Sequence, residues 1–213
     1  MICRSSICIK SRRSKQSGVV LFFALIALVV MSLAAVALIR SVDTSTMIAG
    51  NLAFRQSATT SGDAGAQAAF VWLNTQRLAA TTSVLKDPAH VFNSDHVNQG
   101  YYSSFRQNNT DFTDGTFNWG SGSKQAGTVA DASGNTVFYV IERMCANPNV
   151  IPSTDNCLMA PPLLDQNGKH VKLPPEECQG PGCPLSGQVP QLRITALVTG
   201  PKNTKSYIQT FVY

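Results

Sequence analysis

No proline occurs between residues 19 and 87, so nothing in that stretch forces a helix to stop. No excess of positive charge survives past Gly18. Five of the 17 Lys and Arg (Arg4, Lys10, Arg12, Arg13 and Lys15) precede it, and the remaining 12 are matched by 12 Asp and Glu. The net charge of +5 therefore belongs to the leader, and a neutral domain is no match for a phosphate backbone. No nucleic-acid partner is expected. There is no C-x2-C pair and no Ser/His/Asp or Cys/His arrangement, so neither a zinc site nor a nucleophilic enzyme is expected. His90 and His96 flank "VFNSD" in a loop; they and Asp95 are read as polar surface residues rather than a metal pair. His170 has no partner nearby in sequence. "WGSGSKQAG" lacks the strand–loop–helix context of a phosphate loop and reads as a flexible turn. "DQNGK", Asp165 to Lys169, lacks the flanking helices and closing Glu of a calcium loop and reads as a plain turn. The expectation is a non-enzymatic protein with no cofactor and no metal.

What the chain does have is an apolar run. From Val19 to Ile39 only Ser32 is not apolar, a run of 21 residues. At about 1.5 Å per residue the run spans roughly 30 Å, the hydrocarbon thickness of a bilayer. A secretory signal has a shorter apolar region and a small-residue cleavage site at its end. Here Arg40-Ser41-Val42-Asp43 follows instead. The basic lead-in keeps the N-terminus cytoplasmic and sends the rest of the chain across the membrane.

Apolar residues continue at helical spacing beyond the run: Met47, Leu52, Phe54, Ala58, Ala66, Phe70, Val71 and Leu73, with Arg77 near the end. One long helix over 19–77 is predicted. Gly50, Gly62 and Gly65 each cost about 1 kcal/mol relative to Ala, so its second half is expected to be weak, bent or locally melted. Ala24, Ala27, Ser32, Ala34, Ala35 and Ala37 permit close lateral packing with other helices.

A short basic leader ending in Gly18, followed at once by an apolar helix, resembles the class III signal of type IV pilins. The resemblance implies cleavage after Gly18 by a prepilin peptidase, N-methylation of Val19, and retention of the helix. "SGVVLFFALIALVVMSLAAVALIRSVDTSTMIAGN" further resembles the N-terminal region of the PilX family of minor pilins. The shared element "M-x-A-G-N" is here Met47, Ile48, Ala49, Gly50 and Asn51. An Ala-rich helix, "SGDAGAQAAFVWL", and the closing "LRITALVTGPKNTKSYIQTFVY" are also similar to the family. Major pilins carry Glu at the fifth mature position; this chain has Phe23. That Glu neutralises a neighbouring N-terminal ammonium in an apolar fibre core, where an unpaired charge is costly. Its lack suits a single place at the tip, and the K-type pseudopilins of type II secretion share it.

The resemblance implies a minor pilin that primes type IV pilus assembly and stays in the tip complex. Its implied partners are other minor pilins, the major pilin, the prepilin peptidase and a PilY-type tip adhesin. The implied location is the inner membrane with a periplasmic head, then the pilus tip, with twitching motility and cell adhesion as the processes served. The alternatives are a K-like pseudopilin and an uncleaved bitopic membrane protein with an extracytoplasmic binding head.

Residues 78–213 read as that head. "NTVFYVIERM", led by the turn "DASGN", is one strand candidate. "QLRITALVT" and "SYIQTFV" form a second and third, paired as a hairpin through Gly200-Pro201-Lys202-Asn203, and "GTFNW" is a short fourth. A long N-terminal helix packed on a small antiparallel sheet is an α+β plan. Four cysteines behind a membrane segment suggest two disulfides in a Pro- and Gly-rich loop over 145–190. Of three pairings, Cys145–Cys157 and Cys178–Cys183 are favoured because each closes a short loop. The aromatics Tyr101, Tyr102, Phe105, Phe112, Phe117 and Trp119 read as core, with an adhesive or base-stacking surface as the alternative.

Overall fold

The computed structural model describes residues 18–105, Phe112 and residues 115–213, apart from the side chain of Lys202. Residues 1–17, the leader with Cys3 and Cys8, lie outside the described residues, as do 106–111, 113 and 114 of the aromatic-rich segment. The chain divides into two units after Asn51.

Helix α1 runs without a break from Val19 to Ala79. The glycines do not melt it. Gly62 and Gly65 sit where the sheet comes closest: a Cβ on Gly62 would lie 2.0 Å from Ile208 Cδ1, and one on Gly65 would lie 2.7 Å from Val137 Cγ1. Close packing there offsets the propensity cost. The residues of α1 that are buried, Ala58, Ser61, Gly62, Gly65, Ala69 and Leu73, recur every three or four positions apart from the adjacent Ser61 and Gly62. All but Leu73 are small. Of the apolar residues noted at helical spacing, Ala58 and Leu73 are buried and Ala66 half-buried, while Met47, Leu52, Phe54, Phe70 and Val71 are exposed. Small side chains select the packed face because they let the helix approach the sheet.

The sheet has five strands: β1 (Tyr101–Tyr102), β2 (Lys124–Gln125), β3 (Thr136–Arg143), β4 (Leu192–Gly200) and β5 (Thr204–Val212). The main order is β1-β3-β4-β5, and β2 also pairs with β3. The long strands β3, β4 and β5 are antiparallel, with Tyr139 opposite Ala196 and Ala196 opposite Ile208. The two-residue β1 runs parallel to β3, so the sheet is mixed. β4 and β5 form the expected hairpin through a 3-10 turn at Pro201–Asn203. The segment "GTFNW" is not a strand: its Trp119 opens a four-residue helical turn, α2 (Trp119–Gly122). Asn118 caps that turn by accepting from the Gly120 N–H, 3.0 Å. The following Lys124–Gln125 pairs as β2, so "WGSGSKQAG" is a helical turn and a strand rather than a flexible turn.

Ala69 and Leu73 of α1 pack with Tyr101, Tyr139, Ile141 and Ile194, and Ala58 packs with Val137 and Val198. Burying Leu73, Ile141 or Ile194 contributes about 1.5–3 kcal/mol each. The "DASGN" turn is tied to α1 as well. Asn135 Nδ2 donates to Ser57 Oγ (3.0 Å) and Ser61 Oγ (2.9 Å), and Ser61 Oγ donates to Asp131. Gly134 takes the positive φ (80°) that this turn requires. On the other face of the sheet, the Phe112 ring packs edge-on to Phe117 and tilted against Trp119, and Trp119 meets Tyr207 of β5 at 6.0 Å between ring centroids.

Candidate functional site

Gly18 and Val19, the residues of the expected cleavage junction, are both exposed, and α1 starts at Val19. Phe23 is exposed one turn on, with its ring edge-on to that of Phe22 at 6.2 Å between centroids. Met47, Ala49 and Asn51 are exposed on α1, Gly50 is half-buried, and nothing lies within 4 Å of the Cβ position of Gly50. Every residue from Val19 to Ala49 is exposed, and this helix is long and apolar enough to cross a membrane. A soluble surface rarely carries so large an apolar patch; such a patch marks a membrane or helix-packing surface.

The four described cysteines join as Cys145–Cys157 and Cys178–Cys183. The first pair is buried against β3's C-terminal end; the second lies in the outer part of the loop over 145–190. That loop is held by short bridges, Met159 with Pro190 and Lys172 with Leu185. Leu164 pairs with His170 around the "DQNGK" turn, whose Asp165 Oδ1 accepts from the Asn167 and Lys169 N–H groups. His170 is exposed.

His90 is not a surface residue: it is 6% exposed and its ring lies 5.4 Å from that of Phe92. Its Nδ1 accepts from the Phe92 N–H, 3.1 Å, so the neutral ring carries its proton on Nε2. Burial lowers its pKa, the neighbouring Asp87 raises it, and Arg143 lowers it. His96 is half-buried, with Nε2 on the Val91 carbonyl at 2.9 Å. Asp95 accepts from the Ser103 N–H (2.7 Å) and hydroxyl (2.6 Å). The three are thus committed to different partners. Of the aromatics singled out between 101 and 119, Tyr101 is fully buried, Phe112 is 6% exposed, and Tyr102, Phe105, Phe117 and Trp119 are half-buried.

Two charges at the end of β3 went unnoticed in the sequence. Because side chains alternate along a strand, Glu142 and Arg143 point to opposite faces. Glu142 is buried and bridges across to Arg193 of β4 at 2.6 Å. Arg143 is 1% exposed, and among the described residues no carboxylate lies at ion-pair distance from it. It donates instead from Nε to the Ser103 carbonyl (2.7 Å), from Nη1 to Asn93 Oδ1 (2.7 Å), and from Nη2 to the Val150 carbonyl (2.6 Å). Asn93 in turn donates to the Val84 and Asp87 carbonyls. One guanidinium thereby holds the loops on both sides of it to the sheet. Burial lowers its pKa, with Tyr101 and Asp95 acting the other way, yet an arginine stays charged. The readable signal was a pair of opposite charges ending an apolar strand.

His90 and Arg143 also line a groove of about 430 Å³ between the C-terminal turns of α1 and the ends of β4 and β5. Phe70, Leu73, Leu192 and Val212 supply apolar wall, and Arg77 is among the lining residues. Neither the cleavage junction Gly18 and Val19, nor Phe23, nor Met47, Ala49, Gly50 and Asn51 line it. Comparison with protein families, with curated proteins and with solved structures finds no match to this chain.

Proposed function

We propose that this chain is a minor pilin of the PilX family, a non-enzymatic subunit that primes type IV pilus assembly and remains in the tip complex. The observation that carries the reading is the unbroken α1. It begins directly after Gly18, exposes an apolar surface over its first half, and packs its second half onto a sheet. In this reading the first half has two successive uses. It anchors the precursor in the inner membrane, with the head periplasmic, and then packs among the helices of other minor pilins and the major pilin. Close packing of small residues drives that association, since lipid offers no hydrophobic gain. Phe23 leaves no carboxylate to pair with a neighbour's N-terminal ammonium, which favours a single place at the tip beside a PilY-type adhesin.

Phe23 equally favours a K-like pseudopilin of type II secretion. Pilus counts and secretion assays in a deletion strain separate the two: loss of pili with normal secretion supports the first. N-terminal sequencing of the mature protein tests both. It is expected to begin at N-methylated Val19, and Gly18→Ala is expected to accumulate precursor. An intact leader on the wild-type protein, the outcome for an uncleaved bitopic membrane protein, overturns the pilin reading.

A further inference from the structure

The groove at the end of α1 combines features that none of the packing explains. Its volume, about 430 Å³, lies within the ~300–1,000 Å³ range of small-molecule sites. Its walls are largely apolar, yet two buried polar side chains line it. Arg143 uses one N–H on each nitrogen and leaves one on Nη1 and one on Nη2 without an acceptor among the described residues. His90 accepts at Nδ1, and its Nε2–H has no acceptor among the described residues. A buried guanidinium without an anion is costly, and an anion that reaches it relieves that cost.

We propose that this groove binds an amphiphile with a single carboxylate head and an apolar chain of medium length. The carboxylate accepts from the free Nη1 and Nη2 hydrogens of Arg143, the paired geometry that guanidinium and carboxylate favour. The His90 Nε2–H supplies a further donor. The chain lies against Phe70, Leu192 and Val212. The apolar walls disfavour multiply charged, strongly hydrated anions, and the two donors favour an anion over a neutral alcohol. This inference does not rest on the pilin reading.

The test is equilibrium dialysis of labelled octanoate against the full chain in phosphatidylcholine nanodiscs, with empty nanodiscs as the blank. One saturable equivalent is expected above the blank, and octanol at equal concentration is expected not to displace it. Val189, which also lines the groove, is 43% exposed, so Val189→Glu is expected to leave the fold intact. The variant adds a like charge to the groove wall and is expected to weaken octanoate binding at least tenfold while leaving the unfolding midpoint unchanged. The proposal is overturned by binding no greater than the blank, by equal displacement with octanol, or by unchanged affinity in Val189→Glu.

Discussion

Arg143 ends β3 and is fully enclosed, and three acceptors from separate loops depend on it. Replacing it with Met leaves Asn93 Oδ1 and the Ser103 and Val150 carbonyls without their donor. Asn93 Oδ1 and the Ser103 carbonyl are buried, and orphaned buried acceptors cost about 1–3 kcal/mol each, so Arg143→Met is expected to destabilise the head by at least about 2 kcal/mol. Arg143→Lys is expected to recover only part of this, since one ammonium cannot reproduce a three-way fork. Urea midpoints of the two variants check both statements, and an unchanged midpoint in Arg143→Met would sink the first. At this scale the sequence was legible where chemistry is local: Asp165 and Asp131 close their own turns by accepting neighbouring N–H groups. It was not legible for His90 or Arg143. A histidine in a polar loop and an arginine at a strand end are usually surface residues, and only their distant neighbours enclose them.

On α1, the period of the pattern was readable but the packed face was not. Phe70 and Val71 are more apolar than Ala69, yet Ala69 is buried and they are exposed. The face is decided by how near the backbone comes to the sheet. Gly65 is the tightest point against a stiff neighbour, with the β-branched Val137 at 2.7 Å and Ala196 Cβ at 3.1 Å from its Cβ position. Gly65→Leu is therefore expected to cost about 1–3 kcal/mol through overpacking. Gly50→Ala, with open space around it, is expected to stabilise the helix by about 0.5–1 kcal/mol. Thermal unfolding of the two variants should move in opposite directions; equal shifts would mean that the glycines act through propensity alone. The short elements were the least readable. "GTFNW" has strand-forming residues, but the Asn118 side chain starts a helical turn instead.

For the whole molecule, three of the shifted groups, His90, Asp87 and Asp131, act in the same direction on acidification. His90 has its pKa lowered by burial, so the unfolded chain takes up that proton more readily. Its contribution is present above its ordinary pKa of 6.5 and fades as pH falls below it. Asp131, held by the Ser61 hydroxyl and the Asn135 N–H, and Asp87, held by the Thr82 hydroxyl and the Ala89 N–H, both lie below their ordinary value of 3.8. Their contribution is present above that value and is lost as pH falls through their lowered pKa values. Stability is therefore expected to fall in two steps on acidification, the first below 6.5 and the second below 3.8. His90→Asn keeps a capping acceptor without a titrating ring, so denaturation midpoints should lose the first step and keep the second. A first step that persists in this variant would assign it to another group.

Much of the plan followed from local pattern. The proline-free apolar helix, the three long strands and the hairpin are set by periodicity and turn residues, which act over a few positions. The disulfide partners follow from the short loops they close. The tertiary structure alone decided which face of α1 is buried, that His90 and Arg143 are enclosed, and that a groove lies between the end of α1 and the sheet. These depend on contacts between residues far apart in the chain, such as Gly62 with Ile208 and Asn135 with Ser57. Burial is a property of such encounters, and no short stretch of sequence specifies them.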